Sequence, residues 1–165
     1  MDIRRILKHL ATPHWTSRRA FPARTLARIA QAVRRSESLH RGELRFAVEA
    51  ALAPAALLRG ASARQRAEEL FGQLRVWDTA ENSGVLIYVL LADRRVEIVA
   101  DRGMAARVAK AEWDDVCRGL EQAYARGDFA AGTLAAIDRI TALLALHFPA
   151  RPENPNELPD APLVL

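Results

Sequence analysis

The sequence predicts an α/β fold: a three-layer α/β/α sandwich, Rossmann-like in its layering, around a mixed sheet of at least three strands built from a β-α-β unit plus an antiparallel hairpin. Three observations carry this. The seven residues Val85 to Leu91 are apolar without interruption, as a central strand covered on both faces must be. A short polar connection, Ala92 to Arg95, separates them from a second apolar run, Val96 to Ala100. It is too short for a parallel crossover, so that run pairs back antiparallel. Stretches with helical spacing flank this hairpin on both sides, and they supply the covering layers.

Taken in order, Ile3, Ile6, Leu7 and Leu10 recur at helical spacing with Arg4, Arg5 and Lys8 between them, and Pro13 ends the pattern. This is a short basic amphipathic helix. It either docks on its own domain together with Trp15 and Phe21, or faces a membrane surface or a partner protein. Residues 1–21 form this leading segment, 22–148 the domain, and 149–165 a tail.

The domain opens with Pro22, suited to a first helical turn, and a stripe of Leu26, Ile29, Ala30 and Val33. After Gly42, "ELRFAVEA" alternates Leu44, Phe46 and Val48 with Glu43, Arg45 and Glu49. That is the period of a half-buried strand and places it near a sheet edge. Ser62 and Gln65 make a capping box, so the next helix begins near Ala63 and buries Ala67, Leu70, Phe71 and Leu74. Beyond Gly103, one helix carries Trp113, Val116, Cys117, Leu120 and Tyr124. A second follows Asp128 as its cap and carries Phe129, Leu134, Ile137, Ile140 and Leu144. The tail "PARPENPNELPDAPLVL" holds five of the eight prolines, so it is extended or disordered.

Composition sets the class. The chain has 165 residues, 50% hydrophobic and 27% charged, with a net charge of +4; this is a single globular domain. No uninterrupted apolar stretch reaches the length of a membrane span, and the N-terminus lacks the apolar core of a secretory signal. Together these place the protein in the cytoplasm, peripheral to a membrane at most. The lone Cys117 forms no internal disulfide and reads as core. The charge is uneven: residues 1–45 hold 11 Lys or Arg against 3 Asp or Glu, an excess of +8, while the other 13 basic and 17 acidic residues give −4. The basic leading segment suits anionic lipid or an unidentified protein partner. Its scattered charges follow no nucleic-acid-binding module, so nucleic acid is not expected as a partner.

A right-handed crossover makes the strands at Leu44 and Val85 parallel. The strand at Val96 returns to the edge where those two begin. The topology therefore gathers Glu43, Asn82 and Asp101 there, with Asp78 and Glu81 on the approach and His40 at the lip. Carboxylates and an amide oxygen suit a hard cation such as Ca2+ or Mg2+, so Asp78, Asn82 and Asp101 are candidate metal ligands, with Glu43, Glu81, His40 and Arg102 as additions. The bland alternative is that Asp78 and Asn82 cap turns and Asp101 closes a strand. The rule that ligands lie at the C-terminal ends of parallel strands points instead to Glu49 and Asp93. No residue is assigned a catalytic role.

From about Leu39 to Phe148 the chain resembles the TPM domain family, named from thylakoid lumen, photosystem II repair and membrane-receptor-modulating proteins and often labelled TPM phosphatase. The resemblance lies in the order of "LFGQLRVWD", "ENSGVLIYVLLADRRVEI", the glycine after the second strand of the hairpin, "EWDDVCRGLEQAY" and "GDFAAGTLAAIDRI". It implies an α/β/α sandwich, a calcium site in an acidic crevice, acid phosphatase activity proposed for some members, and roles in repair or assembly of membrane complexes. Asp78 and Asn82 match its acidic and amide positions, and Asp101 ends the following strand. Two departures stand out. The family's Asn-Asn-Gly reads Asn82-Ser83-Gly84, and its Gly-aromatic-Gly turn reads Asp101-Arg102-Gly103. Arg102 either grips a phosphate or pairs with Asp101. The expected function is a weak divalent-cation-binding interaction or assembly factor acting near membranes; the alternative is a metal-dependent phosphomonoesterase.

Overall fold

The computed structural model describes residues 2–153 and 155–165. The elements are α1 (Ile3–Leu10), α2 (Trp15–Ala20), α3 (Ala23–Glu37), β1 (Leu44–Glu49), α4 (Pro54–Leu58), α5 (Ala63–Gln73), β2 (Val85–Leu90), β3 (Arg95–Ala100), α6 (Arg102–Ala105), α7 (Lys110–Ala125), α8 (Phe129–His147) and β4 (Leu163–Val164). The sheet runs β3-β2-β1-β4, with β1 parallel to both β2 and β4 and β3 antiparallel to β2. The α/β class and the mixed sheet are as the patterning predicts, with a fourth strand added.

Strand alternation divides the core. Leu44, Phe46, Val48, Val85, Ile87, Val89, Val96 and Ile98 pack in one cluster with residues of α3, α7 and α8. Ala47, Leu86, Tyr88, Leu90 and Val99 pack in the other with α4, α5 and Ile6 of α1. The capping box forms as read: Gln65 N donates to Ser62 Oγ and Ser62 N to Gln65 Oε1. Asp128 occupies the N-cap position of α8 but makes no side-chain cap bond. By length and composition α8 is apolar enough to cross a membrane. Here Ala136, Ile137, Ile140 and Leu144 of that helix are buried in the core.

β1 lies next to an edge but does not form it, because the two-residue β4 borders it. The tail is extended and turns back along it: Ala47 pairs with Leu163 and Val48 with Val164, and Glu43 accepts hydrogen bonds from the N–H groups of Glu157 (3.0 Å) and Leu158 (3.2 Å). The polar residues of the alternation, Glu43, Arg45 and Glu49, are consequently buried. The exposed edge belongs to β3, and side chains cover its outward backbone groups. Arg64 donates to Ile98 O at 2.7 Å, Glu121 accepts from Val96 N at 3.3 Å, and Cys117 accepts from Ile98 N. An edge blocked in this way does not template pairing with another strand. Burial pushes the Cys117 thiol up to about 12, so it is held as an unreactive thiol.

α1 docks differently from its pattern. His9 is buried and Ile6 faces the core, whereas Ile3, Leu7, Leu10 and Trp15 are exposed; of the aromatic pair expected to dock, only Phe21 does.

Candidate functional site

The two sheet edges differ in what their acids do. At the C-terminal ends of β1 and β2, Glu49 accepts from Tyr88 Oη at 2.7 Å and from Arg66 Nε at 2.9 Å. Burial raises the Tyr88 phenol, with Glu49 adding to the effect, so the hydroxyl stays a donor. Asp93, in the β2–β3 connection, accepts from Arg5 NH2 at 2.8 Å and pairs with His9 Nε2 at 2.9 Å. Burial opposes ionisation of Asp93, but the bonds from Arg5 and His9 outweigh it and hold the carboxyl below its usual range. His9 Nδ1 accepts from Leu52 N at 3.0 Å, so Nε2 carries the proton toward Asp93. Both acids are committed to internal bonds.

At the other edge, two backbone segments touch. Gly103 N donates to Asn82 O at 2.9 Å, and a Cβ on Gly103 would fall 2.5 Å from that oxygen and 2.6 Å from Glu81 O. Only glycine permits this approach. Asn82 adopts a left-handed φ of 53°, which asparagine tolerates better than most residues. Its Oδ1 accepts from Arg102 Nε at 2.9 Å. Asp101 is 9% exposed; its Oδ1 accepts from Arg102 N at 2.7 Å, while Oδ2 is buried with no hydrogen-bond partner.

Three further arginines crowd this crevice. Arg41 pairs with Glu81 and donates from Nε to Pro149 O at 2.8 Å; Arg151 lies 3.6 Å from the same Glu81 carboxylate. Arg107 donates to Gly103 O at 2.9 Å and sits 4.5 Å over the Phe148 ring. Burial, then the charges of Arg151 and Arg107, lower the Arg41 guanidinium. The crevice is thus net basic.

Of the residues singled out from sequence, Asn82, Asp101, Arg102 and Glu81 meet here. Asp78 is exposed on the chain leaving α5. Glu43 is raised by burial and spent on the tail. His40 is buried, bonded through Nδ1 to Gly42 O at 2.9 Å, and lowered to about 4 by burial; it is neutral at pH 7. Arg41, Arg107 and Arg151 were missed because they come from three distant segments. The sequence-level signal was the arginine inside "HRGE", which sat beside a more conspicuous histidine.

A sequence profile of the TPM domain matches residues 17–143. The chain belongs to the TPM domain family. The match begins ahead of Leu39, so α3 is part of the family's domain. Among solved structures the chain is similar to the BA42 protein of the psychrophilic bacterium Bizionia argentinensis, determined by NMR, with 26% identity and a TM-score of 0.77 over 87% of this chain and 94% of that one. It is also similar to the N-terminal domain of a P. gingivalis protein, with 16% identity and a TM-score of 0.61 over 85% and 94% of the two chains; this likeness concerns the fold alone. No curated protein matches the chain.

The TPM resemblance implies a calcium site, and the described residues of this TPM domain do not fit one, nor one for magnesium. A hard cation takes six or more oxygen ligands. The Asn82 amide oxygen already holds a guanidinium and Asp101 Oδ1 a backbone N–H, which leaves Oδ2 as the uncommitted side-chain oxygen of that pair. Among the described residues no three His, Cys, Asp or Glu side chains gather where they could hold an ion. The four arginines add repulsion to any cation that approaches.

Proposed function

We propose that this TPM domain is an interaction or assembly factor acting near membranes, whose crevice receives an anionic group of a partner, rather than a metal-dependent phosphomonoesterase. One observation carries the reading: the Arg102 guanidinium lies on Asn82 Oδ1, where the family pattern would put a cation. Arg41, Arg107 and Arg151 surround it. Guanidinium groups match phosphate and carboxylate oxygens in charge and geometry. Hydrolysis lacks support, because His40 is turned into Gly42 O and buried, so it is poorly placed as a base.

The test uses inorganic phosphate and calcium as separate probes of melting temperature, alongside turnover of a chromogenic phosphate ester. Phosphate at a hundredfold excess over its dissociation constant stabilises by about 2.7 kcal/mol, a rise of several degrees. Arg102→Ala should abolish that rise, and millimolar calcium should give none in the parent. A calcium-induced rise together with ester turnover that disappears in Asp101→Asn would restore the phosphatase.

A further inference from the structure

We propose that the outer face of α1 is a docking surface for an anionic bilayer. This gives a surface to the membrane-proximal part of the function proposed above and does not depend on the crevice. Ile3, Leu7 and Leu10 are 64%, 60% and 63% exposed, and their i, i+4, i+7 spacing aligns them on one stripe. Leu58, 66% exposed at the end of α4, borders the same helix, since Asp2, Arg5, Ile6, Leu57 and Leu58 line one hollow.

The domain holds α1 so that this stripe stays outward. Ile6 packs into the core beneath it, and the Arg5 and His9 bonds to Asp93 fix its rotation. Asp2 caps the helix by accepting from the N–H groups of Arg4 (3.0 Å) and Arg5 (3.3 Å). The helix is therefore formed without a membrane, and docking does not have to order it. Asp2 is also the only acid among residues 1–36.

The surroundings select a lipid surface as the occupant. Arg4 and Lys8 flank the stripe, and Arg18, Arg19 and Arg59 lie exposed on the neighbouring segments. Apolar side chains that enter the acyl boundary, beside long cationic side chains that reach back to headgroups, define an interfacial helix. Trp15, 59% exposed at the start of α2, is a residue type that favours that depth. Anionic headgroups complement the basic flank. α1 is pinned at Asp93, after β2, and the arginine crevice lies before β2, so the two surfaces adjoin opposite ends of that strand.

The test is co-sedimentation of the full chain with vesicles of phosphatidylcholine containing phosphatidylglycerol, against phosphatidylcholine alone. The parent should bind the anionic vesicles, and binding should weaken with salt. Leu7→Glu should reduce it about tenfold or more, at an unchanged melting temperature because the side chain is exposed. Ile3→Ser provides a milder second variant at the same stripe. Arg4→Gln with Lys8→Gln should remove most of the salt dependence, while Arg102→Ala should bind as the parent does. Failure of the parent to sediment, equal binding by both stripe variants, or loss of binding in Arg102→Ala would each overturn the proposal. So would a concentration-dependent dimer that Leu7→Glu abolishes without any vesicle binding, since the stripe would then belong to a second copy.

Discussion

The two ends of the chain both close onto the sheet, yet by different means. The tail joins through backbone: β4 pairs with β1, and Glu43 accepts from Glu157 N and Leu158 N. Asp160 then accepts from Arg34 at 2.8 Å and from Asn156 at 2.6 Å. The N-terminal helix joins through a few side chains, Arg5, His9 and Ile6, and leaves its most apolar stripe in water. The tail completes the fold; the helix leaves an apolar face that the domain does not cover. The difference teaches that apolar residues at helical spacing identify a face without saying whether the domain itself supplies its cover.

The strongest way to break this comparison is to delete residues 155–165. Removal uncovers the β1 edge and leaves Glu43 and Arg45 without their cover. The expected loss is more than about 3 kcal/mol, with aggregation through the bare strand, given the usual cost of unsatisfied buried polar groups and an open edge. Chemical denaturation and size-exclusion chromatography measure it. A truncated chain that stays monomeric at the parent's stability would make the tail an accessory.

pH should separate the two ends. Burial, then the neighbouring Glu43 and Asp160 charges, raise Glu37 from 4.5 to about 9, so in the fold it is protonated at pH 7 and hydrogen-bonded to Asp160. A raised acid contributes stability that is complete below its unfolded value and is lost as pH climbs through its folded one. Across that window the slope reaches about 1.4 kcal/mol per pH unit at most. Asp93 is lowered instead, so its contribution is kept above the ordinary carboxylate value and lost in acid. Hydrogen exchange, corrected for its intrinsic pH dependence, should show the Glu157 and Leu158 amides opening as pH approaches about 9 while Leu52 N–H stays protected. Equal behaviour of the two ends would mean that Glu37 does not govern the tail.

The smallest effect sharpens the comparison from the other side. Asp93→Ala removes the acceptor for Arg5 and His9 and leaves the buried His9 donor unpaired, a loss of about 1–3 kcal/mol. Exchange protection should fall at Leu52 and in α1 but persist in β4. Loss of protection at Glu157 as well would show the two ends to be coupled.

The candidate site was legible in part. Topology was enough to bring Asn82 and Asp101 to one edge, because the short connection between β2 and β3 makes them an antiparallel hairpin and the crossover from β1 is right-handed. It could not reveal that Arg102 would lie on Asn82, since that bond depends on the side-chain reach of a turn held in contact by Gly103. Nor could it collect Arg41, Arg107 and Arg151, which enter from a loop, the turn after α6 and the tail.

Patterns local in the chain were settled by the sequence alone: the Ser62–Gln65 capping box, the fully apolar β2, the hairpin closed by a polar turn, and the helices after Gly103. Each rests on periodicity or on hydrogen bonds between near neighbours, which residue types record directly. Tertiary structure alone decided that β1 is an inner strand, that Glu43 binds the tail, and that Ile3, Leu7 and Leu10 remain exposed. Parallel pairing of Val48 with Val164 is made by backbone groups that every residue carries, between segments far apart in the chain. Such a contact leaves no mark in side-chain pattern, and it converts the polar positions of β1 from a solvent face into buried, hydrogen-bonded ones.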